Sequence, residues 1–292
     1  MEFPASCTII SDEVSQDLPD IVRFVREFGL PGIELRSMFG RAFKDLTPAD
    51  LAEVKRTAAG EGWKIYGCSS PVFKCELDDA TTLRAHLDEF RRSLDVAHSL
   101  HCDLVRVFTF LRKSPEENRA ALPRIVDHLE QLAVIAKGAG VRIGIENEHS
   151  CTVATCAEVL ALCAVLPDPI FGIVWDPCNV IYVPAAAWPA ALGFSDFCRR
   201  VFHIHLKDAK RTRSGEAVAI AAPLGEGDVG WPVHLKEIER LGYRGMLSLE
   251  THWRVVELSE KELHIPAGYA FSKGGEAASR QCLETLRGLM GK

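Results

Sequence analysis

A single (β/α)8 barrel, a TIM barrel over residues 1–292, is the fold this α/β sequence predicts, and three observations predict it. Eight short apolar or β-branched runs recur along the chain, each running into polar residues. Segments of helical spacing separate them, and strands that alternate with helices imply parallel pairing through right-handed crossovers. No Ser/Gly linker or charge block divides the 292 residues, which eight such units fill as a closed barrel better than as an open sheet.

The strand candidates run in order. They are "CTIISDE" at 7–13, "PGIELRS" at 31–37, "WKIYGCSS" at 63–70, "CDLVRVFT" at 102–109, "VRIGIENE" at 141–148, "FGIVWDP" at 171–177, "RVFHIHLKD" at 200–208 and "GMLSLETH" at 245–252. Between them lie helical patterns such as "LPDIVRFVREFG", "TPADLAEVKRTAAGEG", "LRAHLDEFRRSLDVAHSL" and "PRIVDHLEQLAVIAKGAG", with "GEAASRQCLETLRGLM" closing the chain. Several start near Asp, Ser, Thr or Pro and stop at Gly, as capped helices do. "VPAAAWPAALGF" reads as a loop into a small helix, and the long connection from Arg254 to Gly275 as a candidate lid.

Composition narrows the function classes. Hydrophobic residues at 47% and charged residues at 25% suit a soluble globular protein. The N-terminus lacks a basic, signal-like start and no stretch approaches the roughly 20 apolar residues of a spanning helix, so a cytoplasmic protein with no membrane partner is expected. Ten scattered cysteines without a CxxC pair read as buried thiols. A formal charge of −6 gives no electrostatic footprint for a nucleic-acid partner.

In such barrels the chemistry lies at the C-terminal strand ends. Four consecutive strands carry an ionisable residue there, on the face opposite their apolar neighbours: Glu146 after Ile143 and Ile145, Asp176 after Ile173 and Trp175, His205 between Ile204 and Leu206, and Glu250 after Leu247 and Leu249. His203 shares the face of His205 one layer deeper. Each signal alone fits a salt bridge or a satisfied core residue. Together, three converging acids repel one another unless a cation sits among them. Oxygen-rich ligation with one imidazole suits Mn²⁺, with Mg²⁺, Co²⁺ or Zn²⁺ as alternatives. The expected metal ligands are therefore Glu146, Asp176, His205 and Glu250.

The motifs "ISDEVSQD", "GIELR", "VRVF", "GIENE", "WDPCN", "HIHLKD", "PLGEGDVGW" and "LSLETH" resemble the xylose isomerase-like TIM barrels, in particular the sugar phosphate isomerase/epimerase group. The resemblance spans essentially the whole chain. It implies the same four metal carriers and, by analogy with ketose epimerases, proton transfer by Glu146 and Glu250. The family commonly has a substrate-holding His three residues after the Asp of the sixth strand. This chain has Asn179 there, which keeps a polar contact and loses a titrating one.

A metal between two glutamates suits proton abstraction beside a carbonyl through an enediolate, giving isomerisation or epimerisation. Expelling a β-substituent instead gives a lyase acting on a keto-inositol or a 3-keto glycoside. Lys207, Arg106 and His252 are candidates to contact substrate oxygens, alongside Asn179. His149 reads as a loop residue and Cys178 as a small buried one. An abasic-site endonuclease would need more strand-end histidines and a basic face, and a non-catalytic sugar-binding barrel would exchange no protons. "GEGDVG" at 225–230 fits GxGxxG, yet Glu226 and Asp228 oppose a pyrophosphate, so a turn and no nucleotide cofactor are expected. The expected substrate is a small unphosphorylated carbohydrate or polyol. The resemblance also makes a homo-oligomer plausible.

Overall fold

The structure, a computed structural model, describes residues 6–166, 169–184, 193–212, 218–255 and 272–291. Its barrel strands are β1 (Cys7–Ile9), β2 (Gly32–Leu35), β3 (Lys64–Ser69), β4 (Leu104–Val107), β5 (Arg142–Glu146), β6 (Phe171–Trp175), β7 (Val201–Leu206) and β8 (Met246–Leu249). They form one sheet in the order β1-β8-β7-β6-β5-β4-β3-β2, with every ladder parallel. A bridge from Ile10 to Glu34 and a hydrogen bond from Thr8 Oγ1 to the Gly32 carbonyl (2.7 Å) close β1 onto β2. The result is a TIM barrel, with its loops after each strand gathered at one rim.

The crossovers are α1 (Leu18–Phe28), α2 (Pro48–Glu61), α3 (Ala80–Ser99), α4 (Pro115–Ala136), α5 (Cys156–Val165), the short α6 (Pro177–Ile181) and α7 (Phe194–Phe197), α8 (Trp231–Arg240) and α9 (Gly275–Met290). Local sequence sets their ends. Thr47 with Asp50, Ser114 with Glu117 and Thr155 with Glu158 form capping boxes at the starts of α2, α4 and α5. Left-handed Gly29 and Gly62 stop α1 and α2. Helix α4 begins eight residues before the Pro123 at which its pattern reads as starting, because the Ser114 box nucleates it and Pro123 is carried inside.

Apolar side chains point from the strands to the helices. Ile33, Leu35, Ile143, Ile145, Ile173, Trp175, Ile204, Leu206, Leu247 and Leu249 join Ile21, Phe24, Leu129, Leu132, Val159, Leu162, Leu283 and Leu286 in one buried cluster. Each such side chain stabilises the fold by about 1.5–3 kcal/mol on leaving water. The opposite face of the same strands is polar: Thr8, Glu34, Ser69, Arg106, Glu146, His203, His205 and Ser248 are all buried. In register, Thr8 pairs with Ser248 and Ser248 with His205, while Glu34 lies opposite Gly67. The barrel axis is thus lined with hydrogen-bonding groups, which must satisfy one another.

Two additions were not anticipated from sequence. A small hairpin, Ser37–Met38 with Arg41–Ala42, follows β2, and a second, Asp208–Arg211 with Ala219–Ala222, extends β7. Most of the candidate lid, and most of "VPAAAWPAALGF", lies outside the described residues. Among the described residues no helix is long and apolar enough to cross a membrane. All ten cysteines are free thiols.

Candidate functional site

Strands β5 to β8 bring Glu146, Asp176, His205 and Glu250 together at the C-terminal rim. All four are buried, and one ligand atom from each lies within 4.8 Å of the others. The alternation that hides Ile145, Trp175, Leu206 and Leu249 among the helices is what turns these four inward. His205 Nδ1 faces the group, 3.3 Å from Glu146 Oε1 and 3.6 Å from Glu250 Oε2.

Asp176 caps α6. Its Oδ1 accepts from the Cys178 and Asn179 amides at 2.8 and 3.3 Å, and Asn147 clamps its backbone from both sides. Its buried Oδ2 is met, among the described residues, by the Lys207 ammonium at 2.6 Å. Burial pushes the Asp176 carboxyl up to about 6, against the pull of Lys207. Asp176 Oδ2, held by that ammonium and converging with two more carboxylates and an imidazole nitrogen, belongs to a donor set that fits a divalent cation.

Lys207 has a central position. Two residues beyond His205 on the same inward face, its Nζ contacts Asp176, Glu250 Oε2 (3.0 Å) and Asn179 Oδ1 (3.2 Å), and the Trp231 indole donates to its carbonyl at 2.9 Å. Burial disfavours its charge, but Asp176 and Glu250 hold the ammonium well above the usual lysine range. Arg106 Nη1 pairs with Glu146 Oε2 at 3.1 Å, and its guanidinium lies 4.3 Å from the centre of the Phe108 ring. Asn179 is buried, donating to the Asn147 carbonyl at 2.8 Å and to Glu146 Oε1 at 3.4 Å. His252 Nε2 lies 3.1 Å from Glu250 Oε1, and burial lowers the basicity of its imidazole. All four expected substrate contacts therefore touch the carboxylates of the cluster.

Residues from the first two strands complete the surroundings, and sequence reasoning gave them no role. Arg36 Nη1 pairs with Glu250 Oε1 at 2.6 Å, while its Nη2 pairs with Asp12 and Glu13 at 2.8 and 2.6 Å. Arg254 reaches Glu13 from the other side at 2.7 Å. Burial raises the Glu250 carboxyl, yet Lys207, His252 and His205 outweigh it and hold the group well below the carboxylate range. Glu34 and Arg36 alternate with Ile33 and Leu35 just as Glu146 alternates with Ile143 and Ile145, so the signal was present in "GIELR".

Two remaining sequence features resolve differently. In "GEGDVG" the amides of Gly225 and Gly227 donate to Asp208 Oδ2 at 2.9 and 3.1 Å, and Val229 N donates to Oδ1 at 3.2 Å. The loop cradles a carboxylate of its own chain, and a Cβ at Gly227 would stand 2.1 Å from it. His149 stacks on Tyr182 and pairs with Glu148, and Cys178 is a buried thiol. A cavity of about 1020 Å³ opens at the opposite end of the barrel beside Lys64, Leu104, Arg142 and Met246; of the polar axis it touches only His203.

The fold and the inward cluster define a metal-capable TIM barrel, and the chain belongs to the xylose isomerase-like TIM barrel family, whose profile matches residues 22–277. It is similar to the inosose dehydratase of Erwinia tasmaniensis, with 22% identity over 237 residues, 73% of this chain and 75% of that protein. In structure it resembles the IOLI protein with a binding zinc atom (TM-score 0.71, 18% identity, 97% of each chain). It also resembles the 3-keto-D-glucoside 4-epimerase YcjR of E. coli (TM-score 0.70, 13% identity, 99% of this chain and 100% of that one).

Proposed function

We propose that this protein is a divalent-metal-dependent isomerase or epimerase of a small carbohydrate or polyol, working by proton abstraction next to a carbonyl. The observation that carries the reading is the cage of Glu146, Asp176, His205 and Glu250, four buried donors within 4.8 Å of one another. A zinc atom in one structural neighbour supports a metal, and an epimerase among the others supports the reaction class. Mn²⁺ is the proposed ion on ligand hardness.

A divalent cation bound there supplies the charge that acidifies a C–H flanked by a carbonyl and a hydroxyl. The chain's own residues do the rest. Glu146 and Glu250 stand on different strands of the cage, so one removes a proton and the other returns it, to the opposite face or to the neighbouring carbon. Glu250 is kept ionised by Lys207, His252 and Arg36, while Glu146 pairs with Arg106 and faces His205 Nδ1. Lys207 and Arg106 supply positive charge for substrate oxygens as negative charge develops.

Lys207 favours a second reading. An ammonium buried beside Asp176, Glu250 and Asn179 can give its proton to a departing β-hydroxyl, which makes the same apparatus a dehydratase, the activity named for the curated relative. Incubating the protein and Mn²⁺ in D₂O with ketoses, keto-inositols and 3-keto glycosides, read by NMR, tests both. Deuterium beside a carbonyl with the carbon skeleton intact supports isomerase action, and loss of water or aglycone supports the lyase. No deuterium and no product with any of them counts against both.

A further inference from the structure

We propose that Glu34, on β2, is a positioning residue for His205: it crosses the barrel interior to hold the imidazole with Nε2–H turned away from the cage and the Nδ1 lone pair turned into it. The inference rests on the metal reading above and assigns that site a residue from the opposite wall of the barrel.

The two ring nitrogens of His205 are divided between two sets of acids. Nδ1 faces Glu146 and Glu250, whereas Nε2 lies 3.2 Å from Glu34 Oε1. A histidine can offer a lone pair at one nitrogen only while the other carries the proton, so an acceptor at Nε2 fixes which nitrogen serves. A carboxylate in that position also makes the imidazole a stronger ligand, which is why metal-binding histidines so commonly donate to an oxygen behind them.

Glu34 is itself held rigidly. Its Oε2 lies 2.9 Å from His203 Nε2, and the Ser69 hydroxyl donates to Oε1. Glu34, His203 and His205 are no more than 2% exposed, so water does not compete for these bonds. The His203 ring stands edge-on to His205 at 5.6 Å and 86°, which restrains rotation of the ligand ring. Opposite Glu34 the sequence places Gly67, where a Cβ would come within 3.3 Å of Glu34 Cγ. The glycine leaves the space through which the carboxylate passes. The arrangement also explains the paired histidines of "HIHLKD": His203 braces the carboxylate that braces His205.

The test uses the full chain. Mn²⁺ affinity is measured by titration calorimetry for wild type, Glu34→Gln and Glu34→Ala, and the ¹⁵N resonances of labelled histidines are read in Zn²⁺-loaded wild type. Glu34→Gln keeps the shape and can still bond Ser69 and His203, so it isolates the charge. We expect Mn²⁺ to bind about 10–100-fold more weakly in Glu34→Gln and at least as weakly in Glu34→Ala. His205 should show a protonated Nε2 and a zinc-bound Nδ1, a readout that a merely structural role for Glu34 would not set. Unchanged Mn²⁺ affinity in both variants, or zinc on Nε2, overturns the assignment of Glu34 and leaves the four-donor cage standing. Wild type that takes up neither ion defeats the cage and the assignment together. Should the variants fail to fold, the histidine resonances of wild type decide the matter alone.

Discussion

The Lys207 ammonium lies 2.6 Å from Asp176 Oδ2, at the carboxylate oxygen best placed for a cation. A fixed positive charge at that range competes with a metal, since charges a few ångströms apart interact by several kcal/mol at the effective dielectric of a partly buried site. Replacing Lys207 by Met should therefore tighten Mn²⁺ binding by about tenfold or more at pH 8, measured by calorimetry, while turnover on any substrate found falls. Unchanged or weaker binding would show that Lys207 does not oppose the ion.

The two glutamates should fail in the same way. Glu146→Gln and Glu250→Gln each remove one of the two groups proposed to move the proton; such a group contributes about 10²–10⁴-fold, so deuterium incorporation from D₂O should drop by that factor in both. Near-normal exchange in either variant would exclude that residue from proton transfer.

Acid stability should report on Glu13. Burial works to raise its carboxyl, but Arg254, Arg36 and His252 hold it down at about 2, against 4.5 for an ordinary glutamate. A group whose folded value is depressed stabilises the protein fully above the ordinary value and loses that contribution as pH falls toward the folded one. Glu13 should thus contribute on the order of 3 kcal/mol above pH 4.5, fading toward pH 2. Denaturant melts of wild type and Glu13→Gln across pH 2–7 should show a gap that is constant at the upper end and narrows at the lower. A gap that widens on acidification would contradict the pairing.

Gly32 opens β2 at φ 153°, and an added Cβ would fall 1.9 Å from the Lys64 carbonyl oxygen. Gly32→Ala should cost more than about 4 kcal/mol by driving β2 off β3, read as an insoluble or unfolded product by circular dichroism. Stability within about 1 kcal/mol of wild type would mean that the two strands can part without loss.

Much of this was legible in the residues. The eight strand runs contain the eight observed strands, because alternation with capped helices is a local signal. The same alternation selected Glu146, Asp176, His205 and Glu250, since each stands at a strand end opposite apolar neighbours. Glu34, Arg36, Asp12 and Glu13 carried comparable local patterns, but their importance arises from barrel closure, which sets β2 across from β7 and β1 beside β8. No spacing within "GIELR" shows that Glu34 meets a histidine 171 positions away. The residues alone offer Lys207 as a candidate contact to substrate oxygens; its place between Asp176 and Glu250 depends on the register of β7 against β6 and β8, which only the assembled sheet fixes.

The most direct measurement is anomalous diffraction from crystals grown with Mn²⁺, recorded at the manganese edge. One strong peak is expected, enclosed by Glu146, Asp176, His205 Nδ1 and Glu250, with Lys207 Nζ withdrawn from Asp176. A map with no peak among those four groups, or with the ion bound elsewhere while Lys207 keeps its place, would contradict this expectation.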